Sequence, residues 1–213
     1  MKNLDFSLFN DEQKRQIEFG LEEGLDVSWY AKPEFDEGQM CQIRRGLGEG
    51  IDVSVYAKPK FDFLQMTEIR CGLKVGLCID KVIVYANPIF TYSQMYAIRK
   101  GLENDVDVSV YMKPQLNAGQ MEQIRLGLES GLDVSWYAIP DFDSDQMEQI
   151  RIGLEKGLDV SIYAKPKFDR EQMYQIREGL ENDVDVSIYA KPEFDSNQMQ
   201  EIRLELETAL ERG

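Results

Sequence analysis

FDEGQMCQIRRGLGEGIDVSVYAKPK, residues 35–60, is the unit from which this chain is built. Asp36 is a good helix N-cap, and Gln39, three residues later, can close a capping box with it. Gly50 stands where a left-handed residue commonly ends a helix. The aspartate that follows can cap a second, shorter helix over residues 53–57, which a proline then ends. The unit therefore predicts a long helix, a tight turn and a short helix.

The chain contains eight copies of this unit, with variations. The cap is always Asp, Asn or Thr, at Asn10, Asp36, Asp62, Thr91, Asn117, Asp143, Asp169 and Asp195. The box residue is always Gln, at Gln13, Gln39, Gln65, Gln94, Gln120, Gln146, Gln172 and Gln198. A period of this size is typical of stacked repeats that bury their apolar faces against their neighbours. We predict an all-α fold, an α-solenoid or superhelix of eight tandem helix-turn-helix repeats.

The repeat boundaries divide the chain into three parts of one predicted solenoid domain spanning residues 1–213. Residues 1–34 form an N-terminal capping repeat, 35–193 the internal repeats, and 194–213 a C-terminal capping helix. The third repeat carries three extra residues near 77–82 and an apolar run. Because three residues are nearly one helical turn, we expect either an extended short helix or a bulged turn there.

Composition excludes several kinds of partner and chemistry. The formal net charge of −15 argues against direct binding to nucleic acid or to an anionic membrane. The chain has no histidine, the commonest general base. Its three cysteines are odd in number and occupy unrelated repeat positions, which argues against a disulfide framework. No stretch of 18 apolar residues occurs, so we expect a cytoplasmic protein without a membrane segment.

The sequence contains no recognisable catalytic constellation. Asp141, Asp143 and Asp145 are spaced like the start of a calcium loop, but Gln146 replaces its turn glycine and Ile152 its closing glutamate. The recurring carboxylates are explained by caps and solvated helix faces. We therefore predict that the protein is not an enzyme and has neither a cofactor nor a metal site.

One arginine recurs in seven of the eight long helices and forms what we call the arginine ladder. Each ladder residue could pair with a capping aspartate of the preceding repeat, such as Asp26 or Asp52, or with a glutamate four residues on, such as Glu103. The alternative is that the arginines are displayed to a ligand. The ladder consists of Arg44, Arg70, Arg99, Arg125, Arg151, Arg177 and Arg203.

Two further rows indicate packing. A glycine inside the long helix, such as Gly46, costs about 1 kcal/mol relative to alanine, so its recurrence predicts a close helix–helix approach where a side chain would clash. A tyrosine recurs in the short helix, as at Tyr56, and we expect this row to lie in the core with its hydroxyl on a polar acceptor.

The residues that vary between copies form a stripe along the long helices, away from the core positions. They include aromatic and aliphatic residues, which are typical of a partner-binding surface. The alternative is drift at unconstrained exposed positions. This variable stripe comprises Arg15, Phe19, Cys41, Arg45, Thr67, Cys71, Tyr96, Lys100, Glu122, Leu126, Glu148, Ile152, Tyr174 and Glu178.

The motif F-D-x-x-Q-M-x-x-I-R-x-G-L-E-x-G-L-D-V-S-x-Y-A-K-P, as in residues 142–166, resembles tandem repeats in uncharacterised proteins of Gram-positive bacteria, often on phages and conjugative elements. The resemblance covers nearly the whole chain, and the third repeat departs from it. The resemblance implies no particular activity and no site residues. It implies a mobile-element context, in which small acidic proteins often block host defence.

Three functions follow from these patterns. The first is a non-enzymatic scaffold that binds another protein through the variable stripe. The second is an inhibitor whose acidic rows imitate nucleic acid and occupy a nuclease or another nucleic-acid-binding enzyme. The two differ in salt dependence, since only the mimic should lose its partner steeply as salt rises. The third, reading of single-stranded RNA by one base per repeat, conflicts with the net charge.

Overall fold

A computed structural model describes residues 5–212, and over this range the chain is helical, with no strand. The first four residues of the predicted N-terminal repeat and the last residue of the predicted C-terminal helix lie outside it. The all-α helical-repeat class is confirmed. The α-helices are α1 Asp11–Glu22, α2 Glu37–Gly48, α3 Phe63–Lys74, α4 Ile79–Tyr85, α5 Tyr92–Glu103, α6 Ala118–Glu129, α7 Ser144–Glu155, α8 Arg170–Glu181 and α9 Ser196–Arg212.

Each long helix begins with the predicted capping box. In α2, the Gln39 backbone N–H donates to Asp36 Oδ1 at 2.8 Å, and the Asp36 N–H donates to Gln39 Oε1 at 2.9 Å. The pair satisfies two backbone donors that a helix start otherwise leaves free. The same reciprocal bonds occur at the starts of α1, α3, α5, α6, α7, α8 and α9.

The long helices α1, α2, α3, α6, α7 and α8 end in Schellman turns. In α2, Gly50 has φ +70°, its N–H donates to the Leu47 carbonyl, and the N–H of the next residue donates to the Gly46 carbonyl at 2.8 Å. Two repeats place an aspartate in this left-handed position, Asp105 with φ 54° and Asp183 with φ 56°. A non-glycine residue is strained there, so these two repeats carry a local cost that the others lack.

The short element is shorter than the helix predicted over 53–57. It is one 3₁₀ turn of three residues, capped by the preceding aspartate, as in Val53–Val55 after Asp52. Equivalent turns are Val27–Trp29, Val108–Val110, Val134–Trp136, Val160–Ile162 and Val186–Ile188. In the third repeat the extra residues form the seven-residue α-helix α4 instead, which is the extended short helix that the sequence allowed.

The repeated tyrosine and glycine form one packing unit. All seven short-element tyrosines have 0% exposure, as predicted. The Tyr56 hydroxyl donates to the Gln42 carbonyl at 3.2 Å, and a Cβ built on Gly46 would lie 1.8 Å from that hydroxyl oxygen. The glycine therefore makes room for the tyrosine of its own repeat. The predicted clash is confirmed, and the group that approaches is the tyrosine of the short element, which in the third repeat belongs to the α-helix α4.

Backbone contacts divide the chain into two compact units, the first ending at Asp105 and the second beginning at Val106. Within each unit, consecutive long helices pack directly on one another. Within each unit, the box glutamine also links one repeat to the next, since the Gln39 side-chain amide donates to the Phe61 carbonyl at 2.6 Å. The same bond joins Gln13 to Phe35, Gln65 to Phe90, Gln120 to Phe142, Gln146 to Phe168 and Gln172 to Phe194.

Candidate functional site

The variable stripe lies at the surface in both units. None of its 14 residues is buried: Arg15, Phe19, Arg45, Tyr96, Glu122 and Tyr174 are exposed, and Cys41, Thr67, Cys71, Lys100, Leu126, Glu148, Ile152 and Glu178 are half-buried. The three aromatic residues are the most informative. Phe19 and Tyr96 are each 44% exposed and Tyr174 is 41% exposed, although smaller or charged residues occupy the same positions in other repeats.

Each exposed aromatic residue of the stripe is stacked against an arginine of the ladder. The Arg44 guanidinium lies 5.4 Å from the Phe19 ring centroid, and Arg99 lies 5.2 Å from Tyr96. Arg177 lies 5.2 Å from the Tyr174 ring. Cation–π contacts of this length are attractive, and they hold the rings in defined orientations on the surface. Within each unit, the stripe and the ladder are therefore adjacent.

The ladder arginines join neighbouring repeats through a glutamine that sequence reasoning missed. Arg70 Nε donates to Gln42 Oε1, 28 residues earlier, at 3.1 Å. The equivalent bonds join Arg44 to Gln16, Arg151 to Gln123, Arg177 to Gln149 and Arg203 to Gln175, with Arg99 donating to Glu68. Five ladder arginines have residue exposures of only 5–8%. The structural role predicted for the ladder accounts for this geometry.

The sequence predicted two sets of carboxylate partners for the ladder arginines, and the structure shows only one of them. Arg44 pairs with Glu23 at 2.5 Å and Arg70 with Glu49 at 2.6 Å, so the predicted pairing with Asp26 and Asp52 was wrong. The five later arginines pair with the glutamate four residues on, which was the other prediction: Arg99 with Glu103, Arg125 with Glu129, Arg151 with Glu155, Arg177 with Glu181 and Arg203 with Glu207.

Burial alone would lower the pKa of Arg99, but its hydrogen bonds and charge interactions with Glu68 and Glu103 outweigh that effect and raise it. Conversely, burial favours the neutral form of Glu103, yet the hydrogen bonds from Lys100 and Arg99 lower its pKa. Arg99 and Glu103 therefore both stay charged near neutral pH. Arg125 differs from the other ladder arginines in its contacts, because its Nε is buried without a hydrogen-bond partner among the described residues.

The aspartates that cap the short elements form a separate acidic row on the surface. Asp133 Oδ1 accepts from the Ser135 N–H at 3.1 Å and from the Ser135 hydroxyl at 2.6 Å. The hydroxyl bond and then the N–H bond lower the pKa of this carboxyl. The Ser28 and Ser54 N–H groups likewise donate to Asp26 and Asp52, while the ladder arginines pair with glutamates. The acidic row is Asp26, Asp52, Asp107, Asp133, Asp159 and Asp185.

A second exposed apolar surface was missed from the sequence. The residue before each core tyrosine varies between Trp, Val and Ile, and four of these side chains are at least one-third exposed: Trp29, Val84, Trp136 and Ile188. In the third repeat α4 adds Ile79 at 44% and Ile83 at 54% exposure. The sequence did contain a signal for this surface, because the residue before the tyrosine varies between repeats whereas the tyrosine itself does not.

An open groove of about 390 Å³ lies beside Tyr174 in the second unit. Side chains of α8 and α9, together with Gln149, line it, including Arg170, Gln175, Asn197 and Gln200. Its lining residues carry amides, one guanidinium, one carboxylate, one hydroxyl and one aromatic ring, which can hydrogen-bond to and stack on a partner side chain. Tyr174 therefore stands at the edge of a recess rather than on a flat surface.

Nothing in residues 5–212 gathers three carboxylate or cysteine side chains into a group that could hold a metal ion. Asp143 of the calcium-like segment is a helix cap that accepts from the Asp145 and Gln146 N–H groups. Cys41, Cys71 and Cys78 are free thiols.

No protein-family model, curated protein or solved structure matches this chain. Over the part of the chain that the structure describes, no helix is both long and apolar enough to span a membrane.

Proposed function

We propose that the protein is a non-enzymatic binding protein that holds another protein through the variable stripe. The observation that carries this proposal is the set of exposed aromatic rings at Phe19, Tyr96 and Tyr174, each stacked by a ladder arginine. Aromatic residues and arginine dominate the binding energy of protein interfaces. Rings already fixed in orientation lose less conformational entropy on binding.

The roles of the titratable groups support the non-enzymatic part of the proposal. Most of the groups whose pKa is shifted have a structural role, as capping aspartates such as Asp133, ladder partners such as Glu103, or core tyrosines such as Tyr30. Shifted values at a catalytic site normally belong to groups in a cleft that lack such a role. The groove beside Tyr174 adds a recess that a partner side chain can enter.

The alternative function, imitation of nucleic acid by an acidic surface, is favoured by the acidic row. Serine bonds lower the pKa of Asp26, Asp52, Asp107, Asp133 and Asp185, so these carboxylates stay charged. They are free of the arginine pairing that the sequence suggested. A repeated row of fixed charges could occupy the phosphate-binding surface of a nuclease or another nucleic-acid-handling enzyme.

We further propose a cytoplasmic site of action, since three free thiols suit a reducing compartment. The resemblance of the repeats to those on phages and conjugative elements favours a mobile-element origin. In that context the second function would be inhibition of a host defence enzyme.

The test is an affinity capture from a lysate of the native host, eluted in salt steps and identified by mass spectrometry. Full-length protein is compared with Tyr96→Ala/Tyr174→Ala, with Asp133→Asn/Asp159→Asn, and with Trp136→Ala as a control at an equally exposed aromatic residue outside the stripe. The proposal expects a salt-resistant partner that is lost only from the tyrosine variant. A nucleic-acid-handling protein that elutes at low salt and is lost only from the aspartate variant would establish the alternative instead.

A further inference from the structure

Two of the glutamines that receive ladder arginines keep a second polar group that the fold does not use. Gln149 Oε1 accepts from Arg177 Nε, and Gln175 Oε1 accepts from Arg203 Nε, both at 3.0 Å. Since an arginine can only donate, each amide turns its Nε2 donor away from the ladder. Within residues 5–212 neither Nε2 has a hydrogen-bond acceptor, although the two glutamines are only 4% and 8% exposed.

Both donors open into the groove beside Tyr174. Gln149 and Gln175 line it. Across the described residues, Arg125 Nε is the only buried side-chain N or O atom without a partner, so the two Nε2 atoms reach solvent through this groove. The buried amides form its floor, and exposed or half-buried side chains of α8 and α9 form its walls: Arg170, Glu171, Tyr174, Ser196, Asn197 and Gln200.

The amides are held in one orientation before any partner arrives. Arg177 also donates to Glu178 and Glu181, and Arg203 donates to Glu207 at 2.6 Å, so each glutamine ends a chain of hydrogen bonds. A group that is already fixed loses little conformational entropy on binding. A partner that covered these donors without offering an acceptor would leave buried N–H groups unpaired, which is costly. The groove therefore selects for an oxygen on the partner.

The charges around the groove indicate that this oxygen is uncharged. The eight lining residues carry one positive and one negative charge, on Arg170 and Glu171, whose side chains lie 3.8 Å apart. They supply no net positive charge, and the whole chain has a net charge of −15, so a phosphate or carboxylate would gain little there. The main-chain carbonyl is the uncharged acceptor that every residue of a partner protein carries.

The placement of the two glutamines favours an extended segment. They hold equivalent positions on α7 and α8, and the axes of packed helices lie about 8–10 Å apart. A polyproline II segment has three residues per turn and rises about 3.1 Å per residue, so every third carbonyl points the same way at intervals of about 9 Å. The Tyr174 ring, stacked on Arg177 at the edge of the groove, adds the aromatic surface on which such segments pack.

We propose that the groove binds an extended, uncharged segment of the partner protein in the polyproline II conformation. Two of its main-chain carbonyls, three residues apart, would accept from Gln149 Nε2 and Gln175 Nε2. The inference rests on the proposed function, because it specifies which part of the partner the stripe holds near Tyr174. Since the buried contacts are to main chain, the groove would recognise conformation and lack of charge rather than particular side chains.

The probe is an acetylated and amidated decaproline peptide, which offers carbonyl acceptors but no main-chain donor and no charge. It is titrated into the full-length, ¹⁵N-labelled protein, and NMR follows the side-chain amide signals. The signals of Gln149 and Gln175 are identified by their absence from the spectra of Gln149→Glu and Gln175→Glu proteins. We expect these two signals to shift in a saturable way that gives a Kd.

The same two variants test the donors without removing the ladder. Glutamate replaces Nε2 with an oxygen but still accepts from the arginine, as Glu68 already does from Arg99 Nε at 2.9 Å, so circular dichroism should show an intact fold. Each variant should weaken decaproline binding at least tenfold, because a carboxylate would then face a carbonyl.

Gln42→Glu is the matched control. Gln42 is also 8% exposed and accepts from Arg70 Nε at 3.1 Å, but it belongs to the first unit and does not line the groove. The same change of charge there should alter the Kd less than twofold.

Three results would overturn the inference. Two are the absence of saturable shifts at Gln149 and Gln175, and an equal loss of affinity in the Gln42→Glu protein. The third is a salt-resistant partner that Tyr96→Ala/Tyr174→Ala protein loses but Gln149→Glu/Gln175→Glu protein retains, which would leave the proposed function in place. Conversely, glutamine-dependent decaproline binding without any stripe-dependent partner would support the groove and count against the proposed function.

Discussion

Substitution of Gly46 by alanine tests the central packing unit of the repeat, and Gly48 in the same helix supplies the control. The new Cβ at position 46 would lie 1.8 Å from Tyr56 Oη, 3.0 Å from Val53 Cγ1 and 3.1 Å from Tyr56 Cζ. Tyr56 must therefore move and release the Gln42 carbonyl. A Cβ at Gly48 meets nothing within 4 Å.

The opposing contributions can be sized. Overpacking of this kind costs about 2 kcal/mol, and the lost hydrogen bond costs about 1 kcal/mol. The higher helix propensity of alanine offsets about 1 kcal/mol of this loss, so Gly46→Ala should destabilise the fold by about 2 kcal/mol. Gly48→Ala should stabilise it by about 0.5–1 kcal/mol, since only the propensity term applies. For a chain of this size, melting temperatures should fall by about 4–8 °C and rise by about 2 °C, respectively.

The assay is thermal and urea unfolding followed by circular dichroism, with Tyr56→Phe and the double variant completing a cycle. Removing the hydroxyl should relieve most of the clash, so the double variant should be more stable than the sum of the single changes requires, by about 1–2 kcal/mol. If Gly46→Ala were as stable as Gly48→Ala, or if the cycle showed no coupling, the tyrosine would not be the reason for the glycine.

Three further predictions follow from other parts of the repeat. Burial raises the pKa of Tyr30 to about 12 and also raises the pKa of the other core tyrosines. The stabilisation from these neutral hydroxyls should therefore be fully present below about pH 10 and be lost as the pH rises towards about 12. In a pH titration, the increase in tyrosinate absorbance and the loss of helicity should occur together. Absorbance that rises while the helices remain intact would contradict this. Asp183→Gly, which removes a φ of 56° from a non-glycine residue, should stabilise the fold by up to about 1 kcal/mol in urea unfolding, whereas Gly157→Asp should do the reverse. Arg177→Ala should lower the free energy of unfolding by about 1 kcal/mol more than Arg125→Ala in the same assay, because Arg177 Nε has a glutamine acceptor that Arg125 Nε lacks. Equal losses of stability would show that the bond to glutamine does not stabilise the ladder.

The helix boundaries were predictable because they depend on adjacent residues. Asp36 and Gln39 are three apart, and the bonds between them form within one turn. Gly50 likewise ends α2 by its own backbone conformation. Eight copies of the same local pattern remove the ambiguity that a single helix would leave.

What could not be predicted depends on distances across the fold. The short element was expected to be a helix, yet three residues suffice to bring Tyr56 under Gly46. The ladder was assigned aspartate partners because it was not known that serine N–H groups already occupy them. The glutamine acceptors lie 28 residues before their arginines, and only their recurrence at Gln16, Gln42, Gln123, Gln149 and Gln175 hinted at a shared role.

Within each unit, the bond from the box glutamine to the carbonyl of the next repeat has a consequence for the evolution of chain length. Gln120 reaches Phe142 and Gln146 reaches Phe168 through identical atoms at the same distance of 2.6 Å. Removing residues 142–167 would therefore leave Gln120 facing Phe168 with an equivalent junction. Tandem duplication or loss of a whole repeat within a unit therefore creates no new kind of contact at this junction, so the array can lengthen or shorten by one repeat at a time.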